Sequence, residues 1–149
     1  QSIMVAIKKF IGNLFLDDKK LTSLKFEDMA VEVSEKDGVI SMHIGSITIQ
    51  SSMRIDNPFH LEIDYTHTMS MAALFLDNPK EILCIGLGGG AMPKFFYRLF
   101  TKAKLTILEL NPKVIQIAKH FFKLPISKRF SSFSQSSLAS ARLASIHEG

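Results

Sequence analysis

The sequence predicts an α/β chain, a small antiparallel β unit followed by a strand–helix–strand unit, and three observations carry this. Apolar residues alternate from Met29 to about Ile55 around turn chemistry; a continuous apolar strand, EILCIG at 81–86, ends in glycine; and a helical repeat then leads to a second strand, KLTILEL at 104–110. The 149 residues give room for one domain, or one small domain and part of another. Their 46% hydrophobic content is that of a chain with a packed core, which excludes wholesale disorder.

Taken in order, residues 1–28 read as an amphipathic helix and its connection. Ile3, Ile7, Phe10, Ile11, Leu14 and Phe15 recur at helical spacing with Lys8 and Lys9 between them. Asp17 and Asp18 cancel those two lysines, so the helix reads as a cover for a sheet or a partner rather than a membrane-surface segment.

Residues 29–63 read as the antiparallel β unit. Lys36-Asp37-Gly38 separates two alternating runs, and Asp-Gly supplies the positive φ that a tight hairpin turn requires. A second turn at Gly45-Ser46 leads to a third strand, Asn57-Pro58 ends the sheet, and a strand or turn lies around His60–Ile63.

Residues 64–124 open with a helix from about Asp64 to Leu76, stopped by Asn78-Pro79. The strand at 81–86 then runs into GLGGG at 86–90, and AMPKFFYRLF follows at helical spacing with Pro93 in the first turn. Glu109 closes the next strand 19 residues beyond Gly90, against the roughly 20 that a dinucleotide-type βαβ unit places between its glycines and its ribose acid. This pattern predicts the first βαβ unit of a doubly wound, Rossmann-like nucleotide-binding fold. Gly86, Gly88, Gly89 and Gly90 let a ligand approach the backbone, and Glu109 accepts from ribose hydroxyls. The competing reading is that the glycines only make a sharp turn and that Glu109 caps the next helix through Asn111-Pro112.

Residues 125–149 form a Ser-rich tail that holds eight of the sixteen serines and part of the +4 net charge, a composition that orders poorly. Its Lys128, Arg129 and Arg142 are too few for a nucleic-acid surface. A lone Cys84 excludes a disulfide framework and a cysteine-rich zinc site, and it makes a reducing, cytoplasmic setting the default. In mid-strand it reads as a buried, inert thiol. The five histidines lack metal-binding spacing, no apolar run reaches membrane-spanning length, and the Met69, Met71, Leu74 and Phe75 stripe reads as core rather than a substrate groove. Gln1 at the front fits either a mature start or an expression scar.

Residues 30–124 resemble the polyamine aminopropyltransferases, the spermidine synthases and their bacterial relatives. The GLGGG turn, the block ILELNPKVIQIAKHFF and the strand IQSSM carry that resemblance. It implies an N-terminal β domain, a methyltransferase-type Rossmann-like domain, a homodimer, and transfer of an aminopropyl group from decarboxylated S-adenosylmethionine to putrescine. Methylthioadenosine is released and no cofactor or metal is required. By the same resemblance Gln50 faces the nucleosyl substrate, the 86–90 turn is the nucleotide loop and Glu109 binds the ribose.

Departures from the family accompany it. Asp64-Tyr65-Thr66 stands where the family has Tyr-His-Glu, which leaves Tyr65 as a weaker substrate-binding candidate. The usual loop acid falls near Gly89, and the acid that holds adenine is replaced by Ser136 and Ser137. The family's catalytic aspartate lies on a fourth strand, and after Asp77 this chain offers only Glu81, Glu109 and Glu148 as acids. The expectation is therefore a C-terminally truncated, inactive relative. Its tail would be a frame-displaced or degraded remnant, and its two-stranded parallel unit would be stable only as a homodimer or higher oligomer. The alternatives are a non-catalytic dimerising or nucleoside-binding paralogue and an S-adenosylmethionine-dependent methyltransferase fragment. The implied ligands are a nucleoside, as decarboxylated S-adenosylmethionine, S-adenosylmethionine or methylthioadenosine, and a polyamine.

Overall fold

Asp37 and Gly38 both take positive φ, 50° and 76°, which is the geometry a two-residue hairpin needs to match strand twist. They join β2 (Met29–Lys36) to β3 (Val39–Ile44) with Lys36 opposite Val39. The computed structural model describes residues 19–134. In it β1 (Lys19–Phe26), β2, β3 and β4 (Ile49–Arg54) form an antiparallel sheet in the order β1-β2-β3-β4.

β1 corrects the reading of 1–28 as helix and connection. A register shift between Lys20 and Thr22 breaks the strict alternation that would have marked it as a strand, and Glu27, with φ of 53°, turns the chain into β2. The amphipathic pattern at Ile3–Phe15 lies outside the described residues.

After the sheet, α1 (Asp64–Ser70) passes into a 3₁₀ turn at Met71–Phe75. No residue of this turn is buried, so the apolar spacing marks a helical segment that the described residues do not cover. Met69, Met71, Leu74 and Phe75 are between 53% and 87% exposed, so the expectation that they face the core is overturned.

Next come β5 (Glu81–Ile85), α2 (Ala91–Leu99), β6 (Lys104–Glu109), α3 (Pro112–Phe121) and β7 (Phe130–Ser134). The three strands form a parallel sheet in the order β5-β6-β7. The α/β expectation, an antiparallel sheet followed by a parallel one, therefore holds. Both helices pack on this sheet, α2 against β6 and α3 against β6 and β7. Ile82 and Cys84 pack inward with buried Leu105 and Ile107, whereas Leu83 and Ile85 on the other face are exposed. One core joins the two sheets: Val31, Val33, Met42 and Met53 meet Leu105, Ile107, Val114, Ile117 and Phe122.

β7 corrects two expectations: that residues from 125 onward form an ill-ordered tail, and that the parallel unit has two strands. A clamp distant in sequence recruits this serine-rich strand. The Arg129 guanidinium stacks 4.1 Å from the Tyr97 ring centroid and donates to Ala103 O at 2.7 Å and Phe100 O at 3.3 Å, while Phe130 packs edge-on against Tyr97. Arg129 thus adds donors to carbonyls of the turn that follows α2, where Phe100 O also accepts the Ala103 N–H at 3.0 Å. Arg129→Ala is expected to lower stability by about 2 kcal/mol and to speed amide exchange in β7 first. An unchanged urea midpoint would refute the clamp. Residues 135–149, with Ser136, Ser137 and Glu148, lie outside the described residues.

Lys94 on α2 is buried to 1% exposure, and its Nζ donates to Phe122 O at 2.8 Å, just past the end of α3. Burial first, and the nearby Lys123 charge second, lower its pKa from 10.5 to about 8. The folded state therefore releases this proton near pH 8, whereas the unfolded chain holds it to about 10.5. Between those values the unfolded state binds more protons, and stability rises with pH. The rise has a ceiling of about 3 kcal/mol. Urea midpoints measured from pH 7 to 10.5 should climb in the native protein relative to Lys94→Met; parallel curves would contradict this.

Candidate functional site

The chain leaves β5 at Gly86, whose N–H donates to Leu108 O at 2.7 Å and extends the parallel ladder by one residue. Gly86 and Gly88 have positive φ, and Gly90 is the left-handed cap that starts α2. On the neighbouring strand Glu109 ends β6. Its Oε2 accepts the Leu87 N–H at 2.8 Å, and its Oε1 accepts the Asn111 N–H at 2.9 Å. One carboxylate therefore holds the glycine loop and the entry to α3 together, while Asn111 caps α3 through Oδ1 to the Lys113 N–H at 2.9 Å. The capping alternative for Glu109 is thus realised in part, since it braces the turn that Asn111 caps.

Two of the loop glycines are required by close packing. A Cβ at Gly89 would lie 2.4 Å from Phe122 Cδ1 and 2.7 Å from Ser51 Oγ, and one at Gly90 would lie 2.3 Å from Leu124 Cδ2. The loop is thus held between α3's end and the β4 strand.

A cleft of about 470 Å³ opens in front of it, within the range for a nucleoside-sized ligand. Gln50, Tyr65, Gly86, Gly88 and Glu109 all line this cleft, so the structure brings most of the expected site residues together. The Tyr65 hydroxyl reaches Gln50 O at 3.4 Å. Gly89 and Gly90 are not among the lining residues; they serve the packing behind it.

Sequence reasoning missed Ser51, Met69, Met92 and Phe96 on the cleft wall. The apolar spacing assigns Met69 to the core, and Ser51 carries no signal beyond following Gln50 directly. Cys84 also lines the cleft, and burial raises its thiol pKa, which keeps it protonated. Among the described residues no group of three His, Cys, Asp or Glu side chains could hold a metal ion, and no helix is long and apolar enough to cross a membrane.

The comparisons with known proteins bear on this arrangement. A polyamine aminopropyltransferase from Chromobacterium violaceum is 44% identical over 95 residues, covering 64% of this chain and 36% of the relative. This chain is similar to the polyamine aminopropyltransferases. The similarity spans about a third of the length of that relative, and the one from Neisseria meningitidis agrees at 40% over 96 residues. No protein-family model matches the chain. The fold is shared with a probable spermidine synthase from Corynebacterium glutamicum, with a TM-score of 0.61 at 16% identity over 80% of this chain and 46% of that one.

Proposed function

We propose that the cleft binds the nucleoside part of decarboxylated S-adenosylmethionine or its product methylthioadenosine, as the nucleoside half of a spermidine synthase-like site. The observation that carries this reading is Glu109. It stands at the end of β6 beside the glycine loop, and its carboxylate oxygens keep acceptor capacity beyond the two N–H groups they already take, which suits ribose hydroxyls. Gln50 stands on the same cleft from the antiparallel sheet, an element that a plain methyltransferase normally lacks, so aminopropyl transfer is favoured over methyl transfer. The similarity to aminopropyltransferases of known name supports the same reading.

In aminopropyl transfer the amine nitrogen of putrescine attacks the carbon bound to the sulfonium. The new C–N bond forms as the C–S bond breaks, neutral methylthioadenosine departs, and a base takes the amine proton. Among the described residues Glu109 is the single carboxylate lining the cleft, and two backbone N–H groups occupy it. The described residues are therefore read as binding the nucleoside, and no proton transfer is assigned to them. No metal or cofactor enters this scheme.

Calorimetric titration with methylthioadenosine, S-adenosylmethionine and decarboxylated S-adenosylmethionine tests the reading. Saturable binding of at least methylthioadenosine is expected, and no heat with any of the three would overturn it.

The reading extends to a homodimer in a cytoplasmic setting. Among the described residues β5 is an edge strand with Leu83 and Ile85 exposed beside it, a surface that recruits a second sheet, and Cys84 is a free thiol. Light scattering at micromolar concentration should give twice the chain mass, and a well-folded monomer would contradict the dimer. Cell fractionation that placed the protein outside the cytoplasm would contradict the setting.

A further inference from the structure

The glycine loop is held from two sides by different groups. Its front, Gly86 and Leu87, is fixed by the Leu108 carbonyl and the Glu109 carboxylate, which accept their N–H groups. Its rear rests on the chain that leaves α3, Gly89 on the Phe122 ring and Gly90 on the Leu124 side chain. Both of those side chains are buried, and Lys123 between them takes a φ of 50°, a left-handed exit that is unfavourable for any residue but glycine. The Lys94 ammonium holds this exit in place. Its Nζ donates to Phe122 O at 2.8 Å from a side chain that is 1% exposed, a charge-assisted bond shielded from water. Lys94 also continues the loop itself, since its N–H donates to Gly90 O at 2.9 Å in the first turn of α2. One residue therefore grips the end of the loop through its backbone and the surface under the loop through its side chain. Lys94 does not line the cleft, although its neighbours Met92 and Pro93 do.

Resting on the nucleoside reading above, we infer that Lys94 is a positioning residue: by gripping the Phe122 carbonyl it sets the rear of the glycine loop, and with it the place at which Gly86, Leu87 and Gly88 meet a nucleoside. The path is short. Phe122 carries the accepting carbonyl and the ring on which Gly89 sits, so a shift of its backbone moves the surface under the loop. Close-packed groups pass such a shift on, because there is no void to absorb it. Loss of the grip would leave the front of the loop anchored by Glu109 while the rear drifts, which misaligns the backbone that lines the cleft. A tie that merely joined α2 to α3 would support the fold and leave the affinity of folded molecules untouched.

The test is calorimetric titration of methylthioadenosine into the full native chain, Lys94→Met and Arg129→Ala, under conditions where urea unfolding shows each variant to be folded. Lys94→Met keeps the stem and removes the ammonium, whereas Arg129→Ala loosens the clamp on β7, which does not line the cleft. Lys94→Met should bind about tenfold more weakly than the native chain, and Arg129→Ala should stay within about twofold of it. A second measurement needs no variant and decides the matter should Lys94→Met fail to fold. In the native chain the amide resonances of Phe122, Lys123 and Leu124, none of which lines the cleft, should shift in step with saturation by methylthioadenosine. Native affinity in folded Lys94→Met, equal losses in the two variants, or unmoved resonances at 122–124 would each overturn the positioning role and leave the nucleoside reading standing. A native chain that binds no methylthioadenosine takes down both.

Discussion

Gly89→Ala is expected to lower stability by about 2 to 3 kcal/mol and to weaken methylthioadenosine binding more than tenfold. The added Cβ would meet the Phe122 ring at 2.4 Å on one side and Ser51 Oγ at 2.7 Å on the other. Phe122 is fully buried and its backbone is tied to Ala118 O and to the Lys94 ammonium, so the ring has no room to retreat. The loop must shift instead, and with it the backbone that faces the cleft. Gly38→Ala is the matched comparison. Its φ of 76° is strained for alanine, but nothing lies within 4 Å of a Cβ there, so the cost should be about 1 kcal/mol with no change in ligand binding. Urea unfolding of the two variants decides the matter. Equal midpoints would mean that packing between β4 and α3 does not constrain the loop.

Glu109→Ala is expected to act on stability and on binding at once. Leu87 and Asn111 are both buried, and the substitution strips the acceptor from each backbone N–H, for a combined loss of about 2 to 4 kcal/mol. Glu109→Gln keeps one carbonyl oxygen and should lose about half as much. Methylthioadenosine binding should disappear in the alanine variant even where urea titration shows that it is still folded. A folded Glu109→Ala protein with native affinity would leave the carboxylate a purely structural brace.

These two sites differ in how far the sequence announced them. Glu109 was legible because strand, glycine turn and carboxylate stand at fixed offsets along the chain, and the parallel pairing of β5 with β6 turns that spacing into proximity. The Asp37-Gly38 hairpin was legible for a similar reason, since the turn's φ values are a property of those two residues alone. β7 was not. FSSFS has the composition of a loop, and it becomes a strand only through pairing with β6 and the hold of Arg129 on carbonyls some 26 to 29 residues earlier. β1 escaped notice because its register shift hides the period of two. The exposed Met69 to Phe75 stripe shows the converse: apolar spacing marks a helical segment but not what covers it. Ser51 has no sequence signal beyond its place after Gln50, because its packing against Gly88 and Gly89 exists only once the two sheets meet.

The central claim, that the glycine loop and Glu109 hold a nucleoside, is tested most directly by following backbone amide resonances of the full chain during titration with methylthioadenosine. The largest shifts should fall on Gly86, Leu87, Gly88 and Gln50, move together to saturation, and vanish in Glu109→Ala. Saturable shifts confined to the separate pocket lined by Thr22, Gln116 and His120, or no shifts at all, would contradict the account.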